Sequence, residues 1–532
     1  MGVSGGPVNK AVGQELASAL PQDNKAWYSR SHLLKLNFIV LSLIQFSSGN
    51  GYDGSVMNGL QALPGWNEFM GGPTGAWLGF VNAIYWIGVG VVSPLAAMLA
   101  NKYGRKLGVW VGYGFLIAGA ILQTAANNAA AFIIARFLLG CASGFFSNAV
   151  PLLINEIAYP THRGIVSATF NCGWYIGSIL AACITYGTRN YVSSWSWRLP
   201  SLLQIVLPLL AVPGLLMCPE SPRWLTASGR NEQARRVLTT FHAGGDSDAP
   251  LVNFEMIEIE TTIASEQAAK NSASYLDMVK TKGNRWRLAI TVSLAIFSQW
   301  SGNGVVSYYL ALVLTTVGIT DVSDQLLINV GLQLWNLIFS VTAAFLVDKL
   351  GRRLLFLASA GTMLTSYIIV TGLSGSFAQT VNAATGTAVV PFLFFFFAGY
   401  DIALTPLLVA YPCEIWPYAL RSRGLTVTWV TAVVAIAFNT FVNPIALEAI
   451  AWRYYIVFVV VLVVMCLTAY FYYPETRGHS LEQMAWIFDG EDVAAPAPAE
   501  TKERVLSLSY EAGSIVDEKT GTRTSISHNE KV

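Results

Sequence analysis

Asn101-Lys-Tyr-Gly104-Arg105-Lys106 occurs a second time further along the chain, as Asp348-Lys-Leu-Gly351-Arg352-Arg353. Two more motifs recur in the same order and at nearly the same offset. Asn155-Glu156-Ile157 with Arg163-Gly164 returns as Cys413-Glu414-Ile415 with Arg423-Gly424, and Pro219-Glu220-Ser221 returns as Pro474-Glu475-Thr476. Three repeats in one order indicate a duplicated unit, because chance rarely preserves both order and spacing.

Composition places most of the chain in lipid. Of its 532 residues, 54% are hydrophobic and only 12% are charged, whereas an ordinary soluble protein has about 25% charged residues. A net charge of +1 provides no basic surface for a nucleic acid, so nucleic-acid binding is excluded. The six cysteines lack CxxC spacing and predict small buried side chains rather than a metal site.

Apolar runs of about 20 residues, the length that crosses a bilayer, occur about twelve times. The predicted spans are 36–62, 74–100, 108–126, 130–156, 165–187, 199–217, 288–315, 324–347, 354–373, 388–412, 425–447 and 454–473. The polar break at 218–287 divides them into six and six. The predicted fold class is therefore an all-α polytopic membrane protein built from two six-helix repeats.

The same reading predicts the domain organisation. The parts are a cytosolic N-terminal segment at 1–35, a six-helix bundle at 36–217, a cytosolic linker domain at 218–287, a second bundle at 288–473 and a cytosolic, largely disordered tail at 474–532. Lys and Arg concentrate in alternate loops, which predicts that both termini are cytosolic. The N-terminal segment shows no cleavable signal peptide, so the first membrane helix is expected to target the chain.

The motifs together resemble those of the major facilitator superfamily sugar porters. The matching stretches are Gly51-Tyr52-Asp53-Gly54, Gly104-Arg105-Lys106, Arg136 with Gly140 and Gly144, Pro219 to Trp224, Gln299 with Ser301-Gly302 and Tyr308-Tyr309, Asp348 with Gly351 to Arg353, and Pro474 to Gly478. Within that family, Gln299 to Gly304 and Asn171 to Tyr175 look like the fungal lactose permease and cellodextrin transporter branch. Its members are plasma-membrane proton symporters for disaccharides or short β-linked oligosaccharides.

The chain departs from the family pattern where the family's site is usually lined. Gly304 replaces an Asn, with Asn303 shifted by one, and Thr405 begins the stretch where the tenth helix usually carries Gly-Pro-x-x-Trp. Ala432 and Val433 stand where the eleventh helix usually carries Asn-Trp. The loss of two tryptophans predicts either a larger cavity, suited to a disaccharide, or repacking by neighbours such as Trp429.

A sugar site needs amides, hydroxyls and aromatic rings rather than charges, because sugars present hydroxyls and apolar ring faces. Family positions imply Gln299, Asn336 and Asn171 as sugar-binding residues, with Asn303, Tyr308 and Tyr309 as further contributors. The alternative is that these amides join helices to one another, as such residues often do in membranes.

Three charged residues fall deep within the predicted spans, namely Asp53, Arg136 and Asp401. Charges at that depth are costly and therefore mark functional sites. Asp53 and Arg136 lie at similar depth and can pair, and a proton arriving on Asp53 would then break the pair. The alternative is a permanent ion pair. Asp401 has three open roles, which are sugar binding, a second proton site and a helix cap.

The repeated charged motifs lie at the cytosolic ends of the spans. They predict interdomain salt bridges and helix-end contacts that close the cytosolic side, and the alternative is that they only set topology. The predicted gate residues are Arg105, Glu156, Arg163, Glu220, Arg223, Asp348, Arg352, Glu414, Arg423 and Glu475.

An enzyme is disfavoured because the chain has no HExxH motif, no phosphate-binding glycine loop and no histidine within a predicted span. The resemblance implies a proton-coupled sugar symporter of the plasma membrane that imports lactose, cellobiose or a cellodextrin. It implies alternating access by a monomer, with the proton as coupling ion and no cofactor. A hexose carrier, a sugar sensor and a transporter of a glycosylated or polyhydroxylated metabolite are the alternatives.

Overall fold

The computed structural model describes residues 14–21, 26–272, 274–477, 484 and 487–489, apart from a few side chains within these ranges. Regular structure in this part of the chain is helical, without strands. Twelve long helices are labelled α1 to α12 here. They are α1 Ser31–Ala62, α2 Gly75–Tyr103, α3 Arg105–Thr124, α4 Ala129–Ile157, α5 Arg163–Thr188, α6 in two segments Trp195–Leu203 and Val206–Met217, α7 in two segments Lys282–Trp300 and Asn303–Thr316, α8 Val322–Leu350, α9 Arg352–Thr380, α10 Val389–Ile415, α11 Tyr418–Ile450 and α12 Tyr454–Tyr472.

Further helices, most of them short, flank or connect these twelve. They are Gln14–Ala19, Trp27–Ser29, Pro64–Met70, Pro160–His162, Pro222–Ala227, Asn231–His242, Pro250–Ser272, Asp277–Lys280, Ala383–Thr387 and Ala451–Arg453. The four from Pro222 to Lys280 form the linker helices, and their side of the bundle is called the linker side below. The first three of them share a small apolar core, in which Trp224, Leu238 and Val252 are buried.

Each predicted span corresponds to one of the twelve helices, so the predicted fold class is confirmed. Most helices extend beyond the apolar runs at one end or both, most at α11, which begins at Tyr418 rather than at 425. By length and composition alone, nine segments of the described residues qualify as membrane spans, with α11 and α12 counted as one. The polar α1 and the divided α7 are not among the nine.

The two halves of the chain form two bundles, each with an apolar core of its own, and a third apolar core contains residues of both halves. They meet through α2 with α11, α5 with α8, and α1 with α7. This pattern follows the duplication, because α2 corresponds to α8 and α5 to α11. The tertiary contacts therefore carry the same symmetry as the repeated motifs.

Helix α7 is broken at Gly302, which separates its two segments. Gly302 has a left-handed backbone with φ 103°, a conformation that favours glycine. The Tyr367 hydroxyl donates to the Gly302 carbonyl at 2.8 Å and satisfies a backbone group that the break releases. A second irregularity follows at Tyr309, whose backbone is not helical. This segment therefore offers main-chain groups to its neighbours.

Candidate functional site

Asp53 on α1 and Arg136 on α4 lie side by side inside the first bundle. Both are buried, with 3% and 2% of their surfaces exposed. Arg136 Nη1 donates to the main-chain oxygen of Asp53 at 3.2 Å, and its guanidinium lies 4.7 Å from the centre of the Tyr85 ring. Asp53 Oδ1 has no hydrogen-bond partner. The residues are adjacent as predicted, but the predicted carboxylate–guanidinium pair is not formed in this conformation.

Asp401 on α10 contacts the other half of the chain. Its Oδ1 accepts hydrogen bonds from the Tyr175 hydroxyl on α5 at 2.5 Å and from the Thr405 hydroxyl at 2.7 Å. Asp401 is fully buried, and its Oδ2 has no partner. Of the three roles open for this residue, the helix cap is not what the geometry shows, because Asp401 lies in the middle of α10.

The predicted sugar-binding amides of α7 and α8 flank the break in α7. Gln299 is half-buried, and its main-chain oxygen accepts from Asn439 on α11 at 2.6 Å. Asn303 opens the second segment of α7, and Asn336 on α8 is buried. The side-chain oxygens of Asn303 and Asn336 have no partner within the protein. Both are available to donors of a ligand.

The other three predicted sugar contacts differ in their surroundings. Asn171 is exposed and lies one helical turn from Tyr175, on the same face of α5. Tyr308 is half-buried beside the Trp86 ring, with ring centres 6.0 Å apart. The Tyr309 hydroxyl donates to the Thr440 carbonyl at 2.5 Å and is fully buried. Tyr309 is therefore held at the contact between the halves, where it packs among apolar residues of α1, and its part in sugar binding stays a prediction.

On the side opposite the linker, amides of α1 hold the irregular backbone of α7. Asn58 donates to the Ser307 carbonyl at 2.5 Å and accepts from the Leu310 N–H at 3.1 Å. Gln61 donates to the Tyr308 carbonyl at 2.9 Å. These bonds join the two halves and close this side. Sequence reasoning missed them, because side-chain bonds to a main chain leave no pairing signal in the sequence.

The first copy of the charged motifs assembles within the first bundle. Both carboxylate oxygens of Glu156 accept from Arg105 at 3.0 Å. The Glu220 carboxylate accepts the N–H groups of Arg105 and Lys106, the first residues of α3, at 3.0 and 3.2 Å. Gly104, with φ 103°, makes room for this carboxylate. The cluster caps α3 with negative charge where the helix dipole favours it.

The second copy assembles in the same way within the second bundle. Arg352 pairs with Glu414 at 2.9 Å, and Glu475 accepts the N–H groups of Arg352 and Arg353 at 2.8 and 3.0 Å. These contacts correct the predicted pairing. Arg105, Glu156 and Glu220 interact inside one half, and Arg352, Glu414 and Glu475 inside the other, so in this conformation the pairs do not bridge the halves.

Partial burial raises the pKa of Glu475, but four backbone N–H donors outweigh it and lower the pKa below its ordinary value. The donors are those of Arg352, Arg353, Thr476 and Arg477. They stabilise the ionised form, which is the form that caps α9.

The remaining predicted gate residues, apart from Asp348, contact the linker. Arg163 donates to Glu255 on Pro250–Ser272 at 3.0 Å, and Arg223 pairs with Glu266 on the same helix. The Arg423 guanidinium lies 5.7 Å from the Tyr275 ring. The side chain of Asp348 lies outside the described part of the chain.

The structure shows the surroundings of the residues that depart from the family pattern. Thr405, which replaces the family's glycine, holds Asp401. Val433 packs against Gly90 of α2, where a Cβ atom would lie 2.9 Å from it. Trp429 has 52% of its surface exposed, so it does not fill buried space left by the absent tryptophans.

A family model described as "Sugar (and other) transporter" matches residues 39–488. The MFS-type transporter oryC of Aspergillus oryzae is 30% identical over 447 residues, which cover 82% of each chain. The chain therefore belongs to the sugar transporter family, and it is a multi-pass membrane transporter rather than an enzyme.

Other relatives and solved structures agree with this assignment. The high-affinity glucose transporter of Kluyveromyces lactis is 27% identical, with 84% of each chain covered. The inward-open xylose transporter XylE of E. coli superimposes with a TM-score of 0.71 at 23% identity, covering 85% of this chain and 100% of that one. The proton:xylose symporter XylE bound to 6-bromo-6-deoxy-D-glucose gives 0.68 at 23% identity, with 85% and 99% covered. The major facilitator fold is thereby confirmed.

Proposed function

We propose that this protein is a proton-coupled sugar symporter that works by alternating access. The observation that carries the proposal is a set of buried polar atoms without partners at mid-depth, on both sides of the interface between the halves. They are Asp53 Oδ1, Asn303 Oδ1, Asn336 Oδ1 and Asp401 Oδ2. Burying such an atom costs free energy unless a ligand donates a hydrogen bond to it or a proton binds it. Amide oxygens can accept hydrogen bonds from sugar hydroxyls, and carboxylate oxygens can bind protons.

Proton coupling is supported by the two buried carboxylates, because a carrier that accumulates sugar needs a group that changes protonation between its two states. The structural neighbour XylE is a proton:xylose symporter, which supports this proposal. The names of the sequence relatives include glucose, hexose and galactose transporters. Sugar is therefore the proposed substrate class.

Within sugars, we favour a disaccharide or a short oligosaccharide, as in the lactose permease and cellodextrin transporter branch. The chain carries Thr405, Ala432 and Val433 in place of bulkier or differently shaped family residues, and Trp429 does not fill the space. A plasma-membrane location, cytosolic termini, a cytosolic linker domain and function as a monomer remain part of this proposal. Of the predicted tail at 474–532, the structure describes 474–477, 484 and 487–489, where Phe488 and Asp489 contact Arg287 of α7.

The decisive experiment is uptake of a labelled sugar panel by cells without endogenous sugar carriers, with external pH recorded. The panel holds lactose, cellobiose, a cellodextrin, glucose, xylose and a sugar glycoside. We expect accumulation of a disaccharide, with alkalinisation of the medium only when the transported sugar is present. Equilibration without alkalinisation would identify a facilitative carrier, and no uptake of any sugar would favour a sensor.

A further inference from the structure

A hydrogen bond between two buried residues crosses the interface between the halves at mid-depth. Tyr175 lies near the middle of α5 in the first bundle, and Asp401 near the middle of α10 in the second. The Tyr175 hydroxyl donates to Asp401 Oδ1 at 2.5 Å. Tyr175 has 8% and Asp401 0% of its surface exposed. The bond breaks whenever α5 and α10 separate.

The position of Asp401 differs from that of Asp53 in one decisive respect. Asp53 and Arg136 both belong to the first bundle, so a proton on Asp53 changes packing inside that bundle. Asp401 accepts a hydrogen bond from the opposite bundle. A change in its charge therefore acts directly on the contact between the halves.

The surroundings leave Asp401 free to take a proton without losing its present partners. Oδ1 is held by Tyr175 and Thr405, while Oδ2 is buried and has no partner. The other titratable groups nearby are Cys172 on α5 and Tyr400 on α10. Among the side chains that the structure describes, no Arg, Lys or His forms an ion pair with Asp401.

We propose that Tyr175 is a positioning residue that ties the protonation state of Asp401 to the relative position of the two halves. This inference rests on the proposed proton-coupled transport. An ionised carboxylate accepts a stronger hydrogen bond than a neutral acid, so the bond holds α5 against α10 while Asp401 is ionised. A proton that binds Oδ2 forms an O–H bond there, weakens the bond from Tyr175 and favours separation of the halves.

The test measures the closed population directly over a pH series. Spin labels at Glu68→Cys and Ala384→Cys, both exposed on the side opposite the linker and in different halves, report the separation of the halves there. The remaining reactive cysteines are replaced by serine. We expect the ratio of closed to open molecules to fall about tenfold on acidification, as a charged hydrogen bond becomes a neutral one. Tyr175→Phe and Asp401→Asn should abolish most of this dependence.

Tyr113→Phe is the matched control. Its hydroxyl is also buried, but it donates to the Pro208 carbonyl at 2.5 Å within the first bundle, so the variant should keep the wild-type pH dependence. A pH-independent wild type, or a Tyr175→Phe protein with the wild-type pH dependence, overturns the inference.

Proton uptake by vesicles containing the wild type, measured with and without the transported sugar, separates the two proposals. If the closed population depends on pH through Tyr175 but sugar drives no proton uptake, the proposed symport fails and the coupling of Asp401 to the halves stands. If sugar drives proton uptake but the closed population of Tyr175→Phe keeps the wild-type pH dependence, the symport stands and the role of Tyr175 fails.

Discussion

At the scale of single residues, the two buried carboxylates of this protein have different hydrogen-bond surroundings. Asp401 receives two hydroxyl donors on one oxygen, whereas Asp53 lies beside a guanidinium that donates to its main chain. Each has a buried carboxylate oxygen without a hydrogen-bond partner. Burying a polar atom without a hydrogen-bond partner destabilises the folded protein, so packing alone does not explain these atoms. Their retention is consistent with groups that meet a proton or a ligand during transport.

Replacing Asn336 or Gln299 by Ala should weaken sugar binding. Each change removes a hydrogen-bonding partner for a sugar hydroxyl, worth about 0.5–1.5 kcal/mol, which corresponds to a rise in apparent KM of about 2- to 13-fold. Uptake kinetics at a known surface amount provide the measurement.

Gln325→Ala is the matched control for these variants. Gln325 is a buried amide on α8 like Asn336, but it donates to the Ile319 carbonyl at 2.8 Å inside the second bundle. It should alter the amount of folded protein and leave KM unchanged. Unchanged KM in both Asn336→Ala and Gln299→Ala removes these residues from the site.

At the scale of elements, α1 binds the irregular second segment of α7. The break at Gly302 and the non-helical Tyr309 expose carbonyl and N–H groups that a regular helix would bond internally. Asn58 and Gln61 bind these groups. Closure on this side therefore depends on the backbone shape of α7.

Asn58→Ala should open the side opposite the linker. The change removes the hydrogen bonds to Ser307 and Leu310, worth together about 1–3 kcal/mol, so the closed population should fall about 5- to 150-fold relative to the open one. Spin-label distances between positions 68 and 384 measure this shift. Asn67→Ala serves as control, because Asn67 donates within its own half, to the Gln61 and Leu63 carbonyls. Equal distances in Asn58→Ala and wild type would contradict the assignment.

The carboxylate at the start of α9 makes the stability of this helix end depend on pH. Because the pKa of Glu475 is lowered on folding, its contribution is present above the ordinary value of 4.5 and is lost as the pH falls below it. At neutral pH, Glu475→Gln should cost about 0.3–1 kcal/mol of stability. Thermal unfolding of both proteins in detergent should show this difference shrinking below pH 4.5. A constant difference would show that the charge is not what matters.

At the scale of the whole molecule, the charged clusters make each bundle a unit. Arg105 with Glu156 and Glu220, and the second-half equivalents, tie helix ends within one half. The contacts that cross between the halves run instead along α2 with α11, α5 with α8 and α1 with α7, and they include the hydrogen bond from Tyr175 to Asp401. This division suits a carrier whose halves move as units around a central site.

Asp53→Asn should abolish accumulation of sugar against a gradient while allowing exchange. The amide keeps shape and hydrogen bonding but cannot ionise, so the membrane potential, worth about 2.3 kcal/mol per proton per 100 mV, can no longer drive uptake. Counterflow in vesicles loaded with unlabelled sugar checks that the variant still moves its substrate. Sugar accumulation with alkalinisation in Asp53→Asn would exclude Asp53 as a coupling group.

The sequence by itself determined the twelve spans, the duplication and the family, because apolar length and motif order are local properties of the chain. It also predicted Asp53, Arg136, Asp401 and the amides of α7 and α8 as site residues, and these roles stay predictions. Only the tertiary structure decided which groups meet. Tyr175 contacts Asp401, Arg136 contacts a main-chain oxygen, and Arg105 pairs within its own half. Those partners depend on how each helix is rotated and crossed against its neighbours, which distant packing fixes.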